Sequence, residues 1–236
     1  MSVSLRATPS LTYANAANLT LPITGSAVNG DLMIMFVGSG ALPSLPAGWT
    51  ALENANTNST ATLVAYKVCA GDSGTNVTVT ISSSQHAGCV VVLAGTSLWF
   101  APVRTVHQAA GTGAITNGLT GLVGIALYFS IIRASSITLT LSRGTTDNTR
   151  SGDTSTSSVV GHESFSTDDG GSLTVTPSSG TAAIFSAILS VFENPLANGE
   201  IVDDDNLVIA ATDDALSSGH VYKGRLAKTS DTTGVA

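Results

Sequence analysis

What most constrains this chain is a set of short apolar runs, led by glycine, that occurs twice in the same order. The first set is Gly30-Asp31-Leu32-Met33-Ile34-Met35-Phe36-Val37, then Ala61 to Val68, the alternating stretch Gly74 to Ile81, and Cys89-Val90-Val91-Val92-Leu93. The second is Gly121 to Phe129, Gly170-Gly171-Ser172-Leu173-Thr174-Val175-Thr176, and Ile184 to Phe192. The offset between the sets drifts from about 90 to about 97 residues, the signature of an internal repeat. Runs this short, rich in Val, Ile and Thr, suit strands better than helices. The chain is expected to be all-β, an antiparallel β-sandwich (jelly-roll-like) built from two related β-repeats, about residues 18–97 and about 115–193. Each copy offers few strands, so one sandwich shared within residues 1–195 is expected. After Pro195 the pattern breaks, and residues 196–236 are expected to be an extended C-terminal arm contacting partners.

Local signals refine this reading. Leu19, Leu21 and Ile23 alternate with polar residues, and Pro22 among them points to an edge strand. Val28-Asn29-Gly30-Asp31 has turn chemistry, and the unbroken apolar run Leu32 to Val37 fits a central strand covered on both faces. Val77, Val79 and Ile81, then Ile137, Leu139 and Leu141, then Leu173 and Val175, alternate with Thr or Ser, so each strand has one wet face. Trp49 follows Pro46-Ala47-Gly48 and is expected to plug the end of a core rather than stack on a ligand. Thr145 to Ser158 has little to bury and is expected to be an exposed loop. Cys69 and Cys89 are expected to be buried thiols, although a bridge is possible should their strands be neighbours.

Only 11% of the 236 residues are charged, and the net charge is −7. The single basic cluster is Lys223, Arg225 and Lys228, which argues against nucleic-acid binding. The acids concentrate late, from Glu200 to Asp214. The apolar run Leu122 to Ile132 is too short to span a bilayer, and the N-terminus lacks the pattern of a secretion signal. Synthesis in the cytoplasm and no membrane partner are expected. The triplets at Asn18, Asn58 and Asn76 are read as chance matches to the glycosylation pattern.

Motifs with chemistry are missing. There is no nucleophile elbow, phosphate loop or dinucleotide fingerprint, and His86, His107, His162 and His220 show no metal-ligand spacing. His162-Glu163-Ser164 lie on one strand and so point to opposite faces. Asp168-Asp169-Gly170-Gly171 reads as a turn, and Asp203-Asp204-Asp205-Asn206 lacks the glycine and distal glutamate of a calcium loop. No catalytic, cofactor-binding or metal residue is expected, and no cofactor.

The succession Gly30-Asp31, then Pro46, Gly48, Trp49 and Thr50, then Tyr66-Lys67 and Gly71-Asp72, resembles a β-sandwich family of tailed-bacteriophage virion structural proteins. The resemblance is good over about residues 18–97 and faint over 115–193, where the Pro-x-Gly-Trp-Thr corner is missing. It implies a non-enzymatic virion protein, first of all a capsid decoration (cement) protein on the capsid surface. The implied partners are the major capsid protein and other copies of itself, as a homotrimer. The alternative is a tail or fibre protein binding host surface glycans, with Trp49, Trp99 and Phe100 as stacking candidates. A glycan-cleaving sandwich is the third possibility, and nothing in the spacing of acids points to it.

Overall fold

The structure is a computed structural model that describes residues 3–57, 60–82, 85–94, 98–109, 113–151, 156–165, 171–179 and 182–193. The expected arm 196–236, with Asp203 to Asn206, and the turn residues Asp168, Asp169 and Gly170 lie outside the described residues. Among the described residues the protein is all-β and antiparallel.

The first half contributes β1 (Ser4–Leu5), β2 (Thr12–Ala14), β3 (Asn18–Pro22), β4 (Leu32–Ser39), β5 (Thr50–Thr57), β6 (Thr60–Val68), β7 (Asn76–Thr80) and β8 (His86–Ala94). The second contributes β9 (Leu98–Phe100), β10 (Arg104–Gln108), β11 (Ile115–Gly118), β12 (Gly124–Ile132), β13 (Leu139–Leu141), β14 (Thr145–Arg150), β15 (Ser157–Phe165), β16 (Ser172–Pro177) and β17 (Ile184–Glu193). One large sheet runs β1-β8-β4-β6-β5, with β2 also on β8. The other runs β10-β17-β12-β15-β14, with β9 also on β17. Two small sheets, β3-β7 and β11-β16-β13, complete the fold.

Three apolar cores order these sheets into four layers. The β3-β7 sheet packs on the first large sheet through Leu19, Leu21, Val77 and Val79 against Met33, Met35, Val37 and Val92. The two large sheets pack face to face through Leu32, Ile34, Phe36 and Val91 against Ile125, Leu127, Phe129 and Leu189. The β11-β16-β13 sheet covers the far face through Ile115, Leu139, Leu173 and Val175 against Tyr128, Ile132 and Ile188. Period two explains why β4 reads as continuously apolar: Leu32, Ile34 and Phe36 serve one core while Met33, Met35 and Val37 serve another. The expectation of one shared sandwich is thereby corrected. Each half makes its own, because both faces of β4 and of β12 need covering.

Pro22 sits opposite Asn76, next to the backbone-bonded position where Ile23 donates to Thr75. Its missing N–H therefore points away from β7 and removes no ladder bond. The expected loop over Thr145 to Ser158 is corrected to an edge strand at Thr145–Arg150 and the start of β15 at Ser157. Polar residues suffice there because the strand is fixed by specific bonds. Asn148 Nδ2 donates to the Pro9 carbonyl at 3.0 Å, and Arg150 donates to Leu11 O at 3.3 Å while lying 4.8 Å over the Tyr13 ring.

Candidate interaction surface

The residues that carry the family resemblance hold turns together. Asp31 accepts two 2.8 Å bonds from Arg6 and a third from the Val28 N–H at 2.8 Å. The Arg6 bonds hold its carboxyl below the usual carboxylate range, against the opposing effect of burial. Asp72 accepts from the Ala70 N–H at 2.9 Å and from Lys67 Nζ at 2.6 Å, and both lower its pKa. Trp49 is buried beside Leu21, Leu63 and Val79 in the core beneath β3-β7, the plug position expected for it. Tyr66 packs on Phe100 with ring centroids 4.7 Å apart.

Charge is used inward throughout the body. Besides Arg6 and Lys67, Arg143 forms a two-pronged pair with Glu163 at 2.8 and 2.7 Å. Arg104 donates to the Gly118 and Thr120 carbonyls, Arg133 to Gln85 Oε1 at 2.9 Å, and Arg150 to Leu11 O. These are all six Lys and Arg of the described residues, and each has an internal partner. The same residues include six carboxylates (Asp31, Glu53, Asp72, Asp147, Glu163 and Glu193), so the described body is formally neutral. The net charge of −7 resides in the remaining segments.

What faces outward on the two small sheets is neutral and polar. Asn18, Thr20, Asn76, Thr78 and Thr80 are exposed on β3-β7. Thr116, Thr140, Ser172 and Thr176 are exposed on β11-β16-β13, and the Thr116 and Thr174 hydroxyls meet at 2.9 Å. Alternation produces both faces: each Thr is the outward neighbour of a buried Leu, Val or Ile. Exposed large apolar residues lie elsewhere, at Leu42 and Leu45 on the β4–β5 connection and at Val28, Val68 and Val123.

Possible chemistry stays scattered. As expected, the His162-Glu163 pair splits across the sheet. His162 Nδ1 lies 2.8 Å from Asp147, whereas Glu163 accepts from Tyr128 Oη at 2.8 Å and from Arg143. The Asp147–His162 pair was not legible from spacing, because a hairpin rather than a motif joins these positions. Cys69 and Cys89 are both free and buried, in different cores, and β4 lies between their strands. Burial first, and then the Asp147 charge, pushes the Cys89 thiol far up. Trp99 is half-buried on β9, paired with Phe192 of β17. Among the described residues no three His, Cys, Asp or Glu side chains are grouped to hold a metal ion, and no helix is long and apolar enough to cross a membrane.

No protein-family model matches this chain, and no curated protein matches it. A solved structure, that of a conserved protein of unknown function from Pseudomonas aeruginosa, is similar over 78% of this chain and 81% of its own, at 12% identity with a TM-score of 0.32.

Proposed function

We propose that the protein is a non-enzymatic structural component of a phage virion, and first of all a capsid decoration protein that stabilises the head by binding capsid subunits and other copies of itself. The supporting observation is the outward chemistry of the two small sheets. Their exposed positions are Asn, Thr, Ser and Gly, while the cations of the body are engaged internally. Burying a charge against a neighbour is costly, whereas hydroxyls and amides can trade water for partner groups at little net loss. Such a surface suits repeated coverage on a shell, where many modest contacts sum. Glycan stacking draws less support, since Trp49 is inside a core.

The test is occupancy on purified capsids of the cognate phage. The paired change Thr78→Asp and Thr176→Asp places a charge on each small sheet at an exposed position. It is expected to alter stability by no more than about 0.5 kcal/mol. Occupancy is expected to fall at least about tenfold, the effect of some 1.4 kcal/mol. Full occupancy by the charged variant would remove these faces from the mechanism.

A further inference from the structure

We infer that the two large sheets are self-complementary association surfaces, and that the chain is a dimer of like sandwiches made covalent by residues 95–97. This stands apart from the virion reading. Its first support is strand order. Read from the strand that carries the half's first segments, both large sheets place the half's last strand next, then the long central strand, then a hairpin.

The second support is a shared irregularity. β5 bulges against β6 between Ala51 and Glu53, and β14 bulges against β15 between Thr146 and Asn148. Glu53 then faces Val64, which pairs with Phe36, and Asn148 faces Val160, which pairs with Phe129. The bulges thus fall at one position of one pattern, and bulges are features that related folds keep.

The third support is how the sheets meet. Phe36 stacks on Phe129 with centroids 5.7 Å apart and planes 19° apart. Two residues further along each strand, Gly38 leaves the space that Ile131 fills. Equal positions therefore touch, as they must along a two-fold axis, and the central strands run the same way. The polar ties are reciprocal as well. The first half's Pro9, Leu11 and Tyr13 grip Asn148 and Arg150 of the second. The second half's His107, on the strand equivalent to that of Tyr13, reaches back to Thr60 of the first at 2.7 Å. An isologous interface has this property, in which i meets j and j meets i.

The experiment inserts a protease recognition sequence between Ala94 and Leu98 of the full chain. A second variant replaces residues 95–97 instead of lengthening them, and whichever uncut protein melts with the parent is used. After cutting, the two fragments are expected to co-elute at the parent's volume at about nanomolar concentration, as obligate partners do. Mixing labelled and unlabelled cut protein in mild urea is expected to yield hybrid pairs. Fragments that elute apart, or that precipitate once the connection is cut, would overturn the inference.

Discussion

The two halves build the same large sheet from different chemistry at its rim. In the first half the bulged residue is Leu52, which with Tyr66 packs against the central core. In the second the matching residues are Asp147 and His162, joined at 2.8 Å. The small sheets diverge too. Aligned on their glycine-led, Thr-rich strands, Leu21 of β3 corresponds to Asn117 of β11. The connection after the central strand forms β13 in the second half, where Ser142 donates to the Thr174 carbonyl. In the first half Ser44 makes one bond to Thr80, and Pro46, without an N–H, stands where the next donor is needed. Alternation and the bulge are common to both halves. Rim and edge chemistry is free to change, because it decides only what each sheet is tied to.

The largest expected difference lies where the chain turns into its central strands. Both of these turns use glycine at positive φ, Gly30 at 96° and Gly124 at 76°. Gly30 has open space around it, whereas a Cβ on Gly124 would collide with the Val191 carbonyl and with Phe192. Gly30→Ala is expected to cost about 1–2 kcal/mol, the price of a left-handed L-residue. Gly124→Ala adds a clash with backbone and is expected to cost more than about 4 kcal/mol. Urea unfolding of the two variants checks this. Equal losses would mean that the turn at Gly124 relaxes as freely as the one at Gly30.

A middle-sized effect should come from making the halves more alike. Asn117 is 3% exposed, and its Nδ2 finds no acceptor among the described residues, whereas Leu21 at the matching position is fully buried in its core. A buried polar group left unpaired costs about 1–3 kcal/mol. Asn117→Leu should therefore stabilise the protein by roughly 1 kcal/mol, once imperfect packing is allowed for. A loss of stability would show instead that Asn117 is satisfied by water.

The alternating strands were legible from sequence because period two and glycine punctuation act locally. Val77, Val79, Leu173 and Val175 all face cores as the pattern predicts. Both faces of Leu32 to Val37 were likewise readable, and so was the burial of Trp49. The strand Thr145–Arg150 was not, since its place rests on Pro9, Leu11 and Tyr13, residues far away in the chain. The four-layer arrangement was also hidden. An unbroken apolar strand says that two faces are covered, but not that the cover on one side is the other half. No site was predicted and none was assembled from the described titratable residues. The neutrality of the outer sheets became visible only once each cation had been given its internal partner.

The smallest effect expected is one of pH, and it separates the two reciprocal grips. Tyr13 and Arg150 keep their charge states between pH 5 and 7, values far from either group's ordinary pKa. His107 does not. Thr60 gives its own hydroxyl proton to the Thr57 carbonyl at 2.8 Å, so the His107 Nδ1–H donates to Thr60 and the ring is held neutral, tilted against Phe185 at 4.8 Å. Burial lowers its pKa, against the opposing pull of the bond at Thr60. The unfolded chain then binds a proton at His107 more readily than the folded one. The stability this grip contributes is complete above the ordinary imidazole value of about 6.5 and drains away as pH falls through the lowered folded value. His107→Gln is expected to flatten the fall in urea stability from pH 7 to pH 5, whereas Tyr13→Phe should leave its slope as in the parent. Parallel pH profiles for the parent and His107→Gln would place the acid sensitivity elsewhere, with the Asp147–His162 pair the next group to examine.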